Sequence, residues 1–110
     1  MSLKHCIAFI PARKNSKRIK GKNLRDLNGK PLIAHSIEYA LSYLNPEKIW
    51  VNTDDDKIID LAKKYKVASY KRPNRLARDK TLTSEVIVDF AEHIIRKGIM
   101  FEHIITLQPT

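Results

Sequence analysis

The chain has 110 residues, a formal net charge of +9, 43% hydrophobic residues and 30% charged residues. These values are typical of one globular domain, and no apolar run reaches the roughly 20 residues that a membrane helix needs. The first residues lack the long apolar segment of a secretory signal, so we expect a cytoplasmic protein. The single cysteine, Cys6, excludes an internal disulfide and a cysteine-rich zinc site.

Much of the positive charge lies in the first loop. Residues 6–10 form an apolar run that predicts a buried strand at about residues 4–10. Residues 11–30 then carry eight of the 21 Lys and Arg residues and one acid, Asp26. Because ligands of open α/β sheets bind beyond the carboxyl ends of strands, this position favours a phosphate site. A solvated basic face and attraction of nucleic acid remain as alternatives.

Helix and strand patterns alternate along the rest of the chain. Apolar residues recur at helical spacing in residues 31–44, 54–65 and 83–97. Short apolar runs predict strands in residues 49–52, 67–70 and 103–107. Pro31 suits a first helical position, and Thr53 is predicted to cap the second helix with Asp56 as its capping-box partner. The order βαβαβαβ predicts an α/β fold with a mostly parallel sheet and flanking helices.

Two common phosphate-binding motifs are absent from the sequence. It contains neither G-x-x-x-x-G-K-[ST] nor G-x-G-x-x-G, and Gly21 is the only glycine in the cationic stretch 13–22. Phosphate would therefore be held largely by side-chain charge, helped by backbone N–H groups. The absence of both motifs disfavours a P-loop kinase and a dinucleotide-binding dehydrogenase.

Five segments carry a more specific pattern. They are I-P-A-R-x-x-S-K-R-I-x-x-K-N at residues 10–23, N-G-K-P-L-I-A-H at 28–35, V-N-T-D-D at 51–55, R-P-x-x-L-A-x-D at 72–79 and L-Q-P-T at 107–110. In this order they resemble the motifs of acylneuraminate cytidylyltransferases, the CMP-sialic acid synthetases. The third motif of that family reads V-S-T-D-D, so Asn52 stands where the family has serine. The resemblance covers nearly the whole chain.

The resemblance implies a fold of the nucleotide-diphospho-sugar transferase (Rossmann-like) type. The implied reaction transfers CMP from CTP to the anomeric hydroxyl of an N-acylneuraminate-type nonulosonic acid and releases pyrophosphate. It also implies a Mg²⁺ cofactor with ligands beyond residue 110, a homodimer at full length, and no nucleic-acid or membrane partner. We expect residues 1–110 to be the nucleotide-binding part of one domain, truncated on its C-terminal side.

The matched motifs also imply site residues. Lys22 and Arg13 would hold the triphosphate as catalytic residues, with Lys22 near the reacting phosphate, and Gln108 would contact the sugar acid. The remaining CTP contacts would be Ser16, Lys17, Asn23, Arg72, Thr81 and Thr83, with Arg72 reading the cytosine carbonyl. Purely structural roles are also open. Thr83 could serve merely to cap the third helix, and Arg72 could serve merely to pair with Asp79.

Two alternative functions remain at this point. The first is a cytidylyltransferase for another sugar acid, namely pseudaminic, legionaminic or 3-deoxy-manno-octulosonic acid. Arg18 is also found in relatives that act on other nonulosonic acids, and Lys80 stands where many relatives have threonine. The second, of a different class, is a non-catalytic nucleic-acid-binding domain that uses the basic loop.

Overall fold

Residues 5–14, 21–78 and 80–109 are described by the computed structural model. Four parallel strands form the central sheet: β1 (Cys6–Pro11), β4 (Ile49–Thr53), β5 (Ala68–Lys71) and β6 (His103–Thr106). Their order across the sheet is β5-β4-β1-β6. A small antiparallel hairpin, β2 (Asp26–Leu27) with β3 (Lys30–Pro31), lies in the first loop. The helices are α1 (Leu32–Leu41), α2 (Asp56–Lys64) and α3 (Thr83–Arg96).

Helices cover both faces of the sheet, which confirms the predicted parallel α/β architecture. Side chains alternate along β1, so Ala8 and Ile10 join the core cluster beneath α1 and α2, whereas Ile7 and Phe9 join the cluster beneath α3. Cys6 through Ile10 are all buried. A central parallel strand covered on both faces needs such a continuous apolar run, which explains why the sequence signal was clear.

The first loop contains a hairpin that the sequence analysis did not predict. Asn28 and Gly29 both have positive φ angles, 53° and 87°. Asn-Gly is the dipeptide that favours this left-handed two-residue turn, so the signal was present in the sequence. Helix α1 then begins at Leu32 and ends at Leu41, three residues before the predicted end.

The prediction that Thr53 caps α2 is wrong. Thr53 is the last residue of β4, where it pairs with Lys71, and its carbonyl oxygen accepts a 2.7 Å hydrogen bond from the backbone N–H of Arg72. Asp55 is the actual N-cap, and its carboxylate accepts from the N–H of Lys57 at 2.9 Å. Pairing between β4 and β5 therefore fixes Thr53 in the sheet and delays the start of the helix.

Tyr65 provides a stability test at the end of α2. Its hydroxyl donates to the carboxylate of Glu38 on α1, and this bond raises the pKa of Tyr65 to about 12. We expect Tyr65→Phe to lower the free energy of unfolding by about 1 kcal/mol at pH 7. Because the folded-state pKa is raised, this contribution is complete below about pH 10 and is lost as the pH rises towards 12. Denaturant titration of both proteins at pH 7 and at alkaline pH measures the difference; equal stability at pH 7 would contradict it.

Candidate functional site

A cavity of about 170 Å³ opens where the parallel strands end. Seven of the predicted contact residues line it: Arg13, Lys22, Asn23, Arg72, Thr81, Thr83 and Gln108. They come together because β1, β5 and β6 all end at this edge of the sheet and α3 begins there. The predicted contacts Ser16 and Lys17 lie outside the described residues.

Hydrogen bonds from β4 and its following loop fix the start of the basic loop. The backbone N–H of Ala12 donates to the carbonyl oxygen of Asn52 at 2.9 Å, and the N–H of Lys14 donates to the carboxylate of Asp54 at 2.7 Å. These bonds hold Arg13 between two anchored neighbours at the mouth of the cavity. The sequence analysis assigned neither Asn52 nor Asp54 to the site. The signal was their place in the V-N-T-D-D motif at residues 51–55, where polar residues follow an apolar run.

The end of the basic loop is shaped by Gly21 and Asn23. Gly21 has a left-handed backbone conformation, with φ at 67°, which glycine adopts without the steric penalty of a Cβ atom. It starts a short 3₁₀ turn over Lys22–Leu24. The side-chain amide of buried Asn23 donates to the carbonyl oxygen of Arg13 at 3.0 Å. This bond links the two ends of the loop and brings Lys22 and Arg13 to the same cavity.

Arg72 is the most buried charged group at the site, with only 4% of its surface exposed. Its Nε donates to Oδ1 of Asn52 at 2.7 Å, with longer bonds of 3.4 Å to the carbonyl oxygens of Asn52 and Leu76. Burial lowers the pKa of Arg72 to about 10, while the charge of Asp54 acts in the opposite direction. Arg72 is therefore still a cation at neutral pH. A pairing of Arg72 with Asp79 lies outside the described residues.

The threonines and Gln108 complete the wall of the cavity. The alternative that Thr83 caps α3 is wrong, because Leu82 occupies the N-cap position and its N–H donates to the carboxylate of Glu85 at 3.1 Å. Thr83 is exposed and lines the cavity with Thr81. Gln108 lies two residues after the end of β6 and is also exposed. The hydroxyl and amide groups of these residues are thus available to a ligand.

The described residues do not form a metal site of their own. Within residues 5–14, 21–78 and 80–109, no group of three or more His, Cys, Asp or Glu side chains could hold a metal ion. Asp54 and Asp55 accept backbone hydrogen bonds, so both serve the local structure. The Mg²⁺ implied by the family resemblance has no ligand set in this part of the chain. The same ranges contain no helix that is long and apolar enough to cross a membrane.

The sheet, its flanking helices and the cationic cavity at the strand ends define a nucleotide-diphospho-sugar transferase fold. The chain is similar to the structure of CMP:2-keto-3-deoxy-manno-octonic acid synthetase complexed with CTP, with a TM-score of 0.71 and 26% identity. That match covers 96% of this chain and 40% of the other. A family model described as cytidylyltransferase matches residues 7–100, and the chain belongs to this family.

Several relatives act on different sugar acids according to their names. The chain is 40% identical to a CMP-N,N'-diacetyllegionaminic acid synthase of Legionella pneumophila, 35% to a pseudaminic acid cytidylyltransferase of Campylobacter jejuni and 38% to an N-acylneuraminate cytidylyltransferase of Escherichia coli. Each match covers 94% of this chain. The chain spans 45% of the first two relatives and 24% of the third, about half their length or less.

Proposed function

We propose that the chain is the nucleotide-binding part of a cytidylyltransferase that activates a nonulosonic acid with CTP. The observation that carries this proposal is the gathering of seven side chains from four separated segments around one cavity at the strand ends. Membership of the cytidylyltransferase family supports the same reaction class. At about 170 Å³ the cavity is smaller than the roughly 300–1,000 Å³ of small-molecule pockets, a volume that suits part of a nucleotide and not the whole of it.

The proposed reaction is a displacement at the α-phosphorus of CTP. The anomeric oxygen of the sugar acid forms a bond to this phosphorus while its proton passes to water. The bond to the bridging oxygen breaks, and its electron pair leaves with pyrophosphate. Lys22 and Arg13 stabilise the negative charge that develops on the phosphate oxygens. Arg72 donates to the cytosine carbonyl, and Gln108 contacts the sugar acid. Ser16, Lys17, Asn23, Thr81 and Thr83 hold the rest of the nucleotide.

For the sugar acid, we propose an N-acylneuraminate type, on the resemblance of the five sequence motifs. Relatives named for legionaminic and pseudaminic acid have comparable identity to this chain, so those acids are the first competitors. Pyrophosphate release from CTP with each acid in turn distinguishes them. The Mg²⁺ cofactor and the homodimer belong to the same proposal and rest on the family resemblance. A cytoplasmic location is proposed with them.

A nucleic-acid-binding role would require only the positive charge of the basic loop. It would not require a buried guanidinium and a glutamine at two separate strand ends to line the same cavity as that loop. Arg72 and Gln108 do line that cavity together with Arg13 and Lys22. This arrangement favours a small nucleotide over a polymer as the ligand.

The choice of nucleotide tests the proposal. We expect the complete protein to bind CTP at least tenfold more tightly than ATP or GTP, because Arg72 and the threonines face a base and not only the phosphates. Calorimetry with the separate triphosphates measures this preference, and inorganic tripolyphosphate serves as the control ligand without a base. Equal affinity for all nucleotides would remove the base-reading role of Arg72.

A further inference from the structure

Asn52 joins the basic loop to Arg72. It lies in β4 between Pro11 of β1 and Tyr70 of β5, and it is 0% exposed. Its carbonyl oxygen accepts from the N–H of Ala12 at 2.9 Å, and its Oδ1 accepts from Nε of Arg72 at 2.7 Å. One residue thus contacts both the start of the basic loop and the buried guanidinium of Arg72.

The amide of Asn52 is not a favourable choice for core stability. Its Nδ2 donor is buried and has no hydrogen-bond partner among the described residues. A buried donor without a partner costs free energy, and this cost comes with an amide whose Oδ1 is the acceptor for Nε of Arg72. Val51, its neighbour in the same strand, is a buried apolar residue of the kind that suits this sheet. This cost indicates that the polar group at position 52 serves the site.

The neutrality of the amide explains why asparagine and not aspartate suits position 52. An aspartate would bind Arg72 more strongly, since it would add the Coulomb attraction of a full negative charge to the hydrogen bond. It would also neutralise the guanidinium that lines the cavity. Among the described residues, every hydrogen-bond acceptor of the Arg72 guanidinium is neutral: Oδ1 and O of Asn52 and O of Leu76. Asn52 holds the guanidinium in place through a neutral acceptor, and among the described residues no carboxylate accepts a hydrogen bond from that guanidinium.

We propose that Asn52 is a positioning residue that fixes Arg72 at the cavity through a neutral acceptor and so keeps its positive charge available to the nucleotide. This inference rests on the proposed function, because the ligand that uses the charge is CTP. The family motif that this segment resembles has serine at the position of Asn52. Serine is also a neutral acceptor, so the proposal depends on charge and not on shape alone.

The first test adds a charge while keeping the shape. Asn52→Asp retains an acceptor for Arg72, and we expect about tenfold weaker CTP binding by the complete protein, equivalent to about 1.4 kcal/mol. Asn52→Ser keeps a neutral acceptor and should bind CTP within about threefold of wild type. Asn74→Asp adds the same charge at an exposed residue outside the cavity lining and should change binding less than twofold. A folded Asn52→Asp protein with wild-type affinity would overturn the proposal.

A double-mutant cycle keeps the proposal testable if Asn52→Asp does not fold. If Asn52 acts through Arg72, then Asn52→Ala should weaken CTP binding in the wild type but have no further effect in Arg72→Ala protein. Losses that simply multiply would show that Asn52 acts independently, and this result would contradict the proposal.

A third measurement separates this inference from the proposed function. In NMR spectra without nucleotide, Nε–H of Arg72 should give a signal protected from exchange that disappears in folded Asn52→Ala. If that signal behaves as expected but no nucleotide binds the wild type, the function is wrong while the positioning contact stands. If CTP binds the wild type but the signal is unaffected by Asn52→Ala, the positioning role is wrong and the function stands.

Discussion

Lys22→Ala is expected to lower kcat/KM for formation of the CMP-sugar by about 10²-fold or more, the scale of losing one transition-state donor. Lys22 lines the cavity at the start of a 3₁₀ turn that follows the left-handed Gly21. In the proposed reaction its charge would stabilise phosphate oxygens as pyrophosphate departs. Arg13, which lines the same cavity from the other end of the loop, is expected to show a loss of the same size when changed to alanine.

The fold should survive both changes because these side chains lie in a polar loop. The anchoring bonds of that loop come from other groups, namely the N–H of Ala12, the N–H of Lys14 and the side chain of Asn23. Arg25→Ala is the matched control, since Arg25 belongs to the same basic segment but is exposed and does not line the cavity. Its kcat/KM should stay within about twofold of wild type. Wild-type turnover by Lys22→Ala would remove Lys22 from the proposed site.

Phe90→Ala is expected to lower the free energy of unfolding by about 3–5 kcal/mol. Phe90 is 0% exposed and lies at the centre of the cluster between α3 and the sheet. Its ring centroid is 4.9 Å from that of Phe9 on β1 and 5.7 Å from that of Trp50 on β4. Removing the ring leaves a cavity bordered by residues of a helix and two strands, which cannot all move inward. Since single domains have about 5–15 kcal/mol of stability, this loss can unfold much of the population.

A second residue of the same helix provides the control for Phe90. Val88 lies on α3 but is 57% exposed, so Val88→Ala should change stability by no more than about 0.5 kcal/mol. Urea titration of the three proteins in one buffer gives the comparison, and circular dichroism at low denaturant shows whether each is folded. A loss below 1 kcal/mol for Phe90→Ala would contradict the central position of this ring in the core.

Local sequence patterns determined the elements, the sheet type and the chemistry of the loop. The continuous apolar run ending at Ile10 can be satisfied only by a strand covered on both faces, and such strands occur in parallel sheets with helices on each side. The helical spacing in α3 was equally clear, because Phe90 and Ile94 are one turn apart and both are buried. The cations that follow the first strand lie at the ligand edge of any such sheet, so a phosphate site could be inferred before any contact was known.

Tertiary structure decided how residues distant in sequence share their hydrogen bonds. Thr53 has the chemistry of a helix cap, but pairing of β4 with β5 fixes it in the sheet and leaves the cap to Asp55. Asn52 is one of two polar residues at the end of β4, and its bond to Arg72 spans 20 residues of chain. Asp54 contacts the N–H of Lys14 across 40 residues. Sequence alone could not reveal these contacts, because each one depends on which strands lie side by side, and that order is set by packing of the whole sheet.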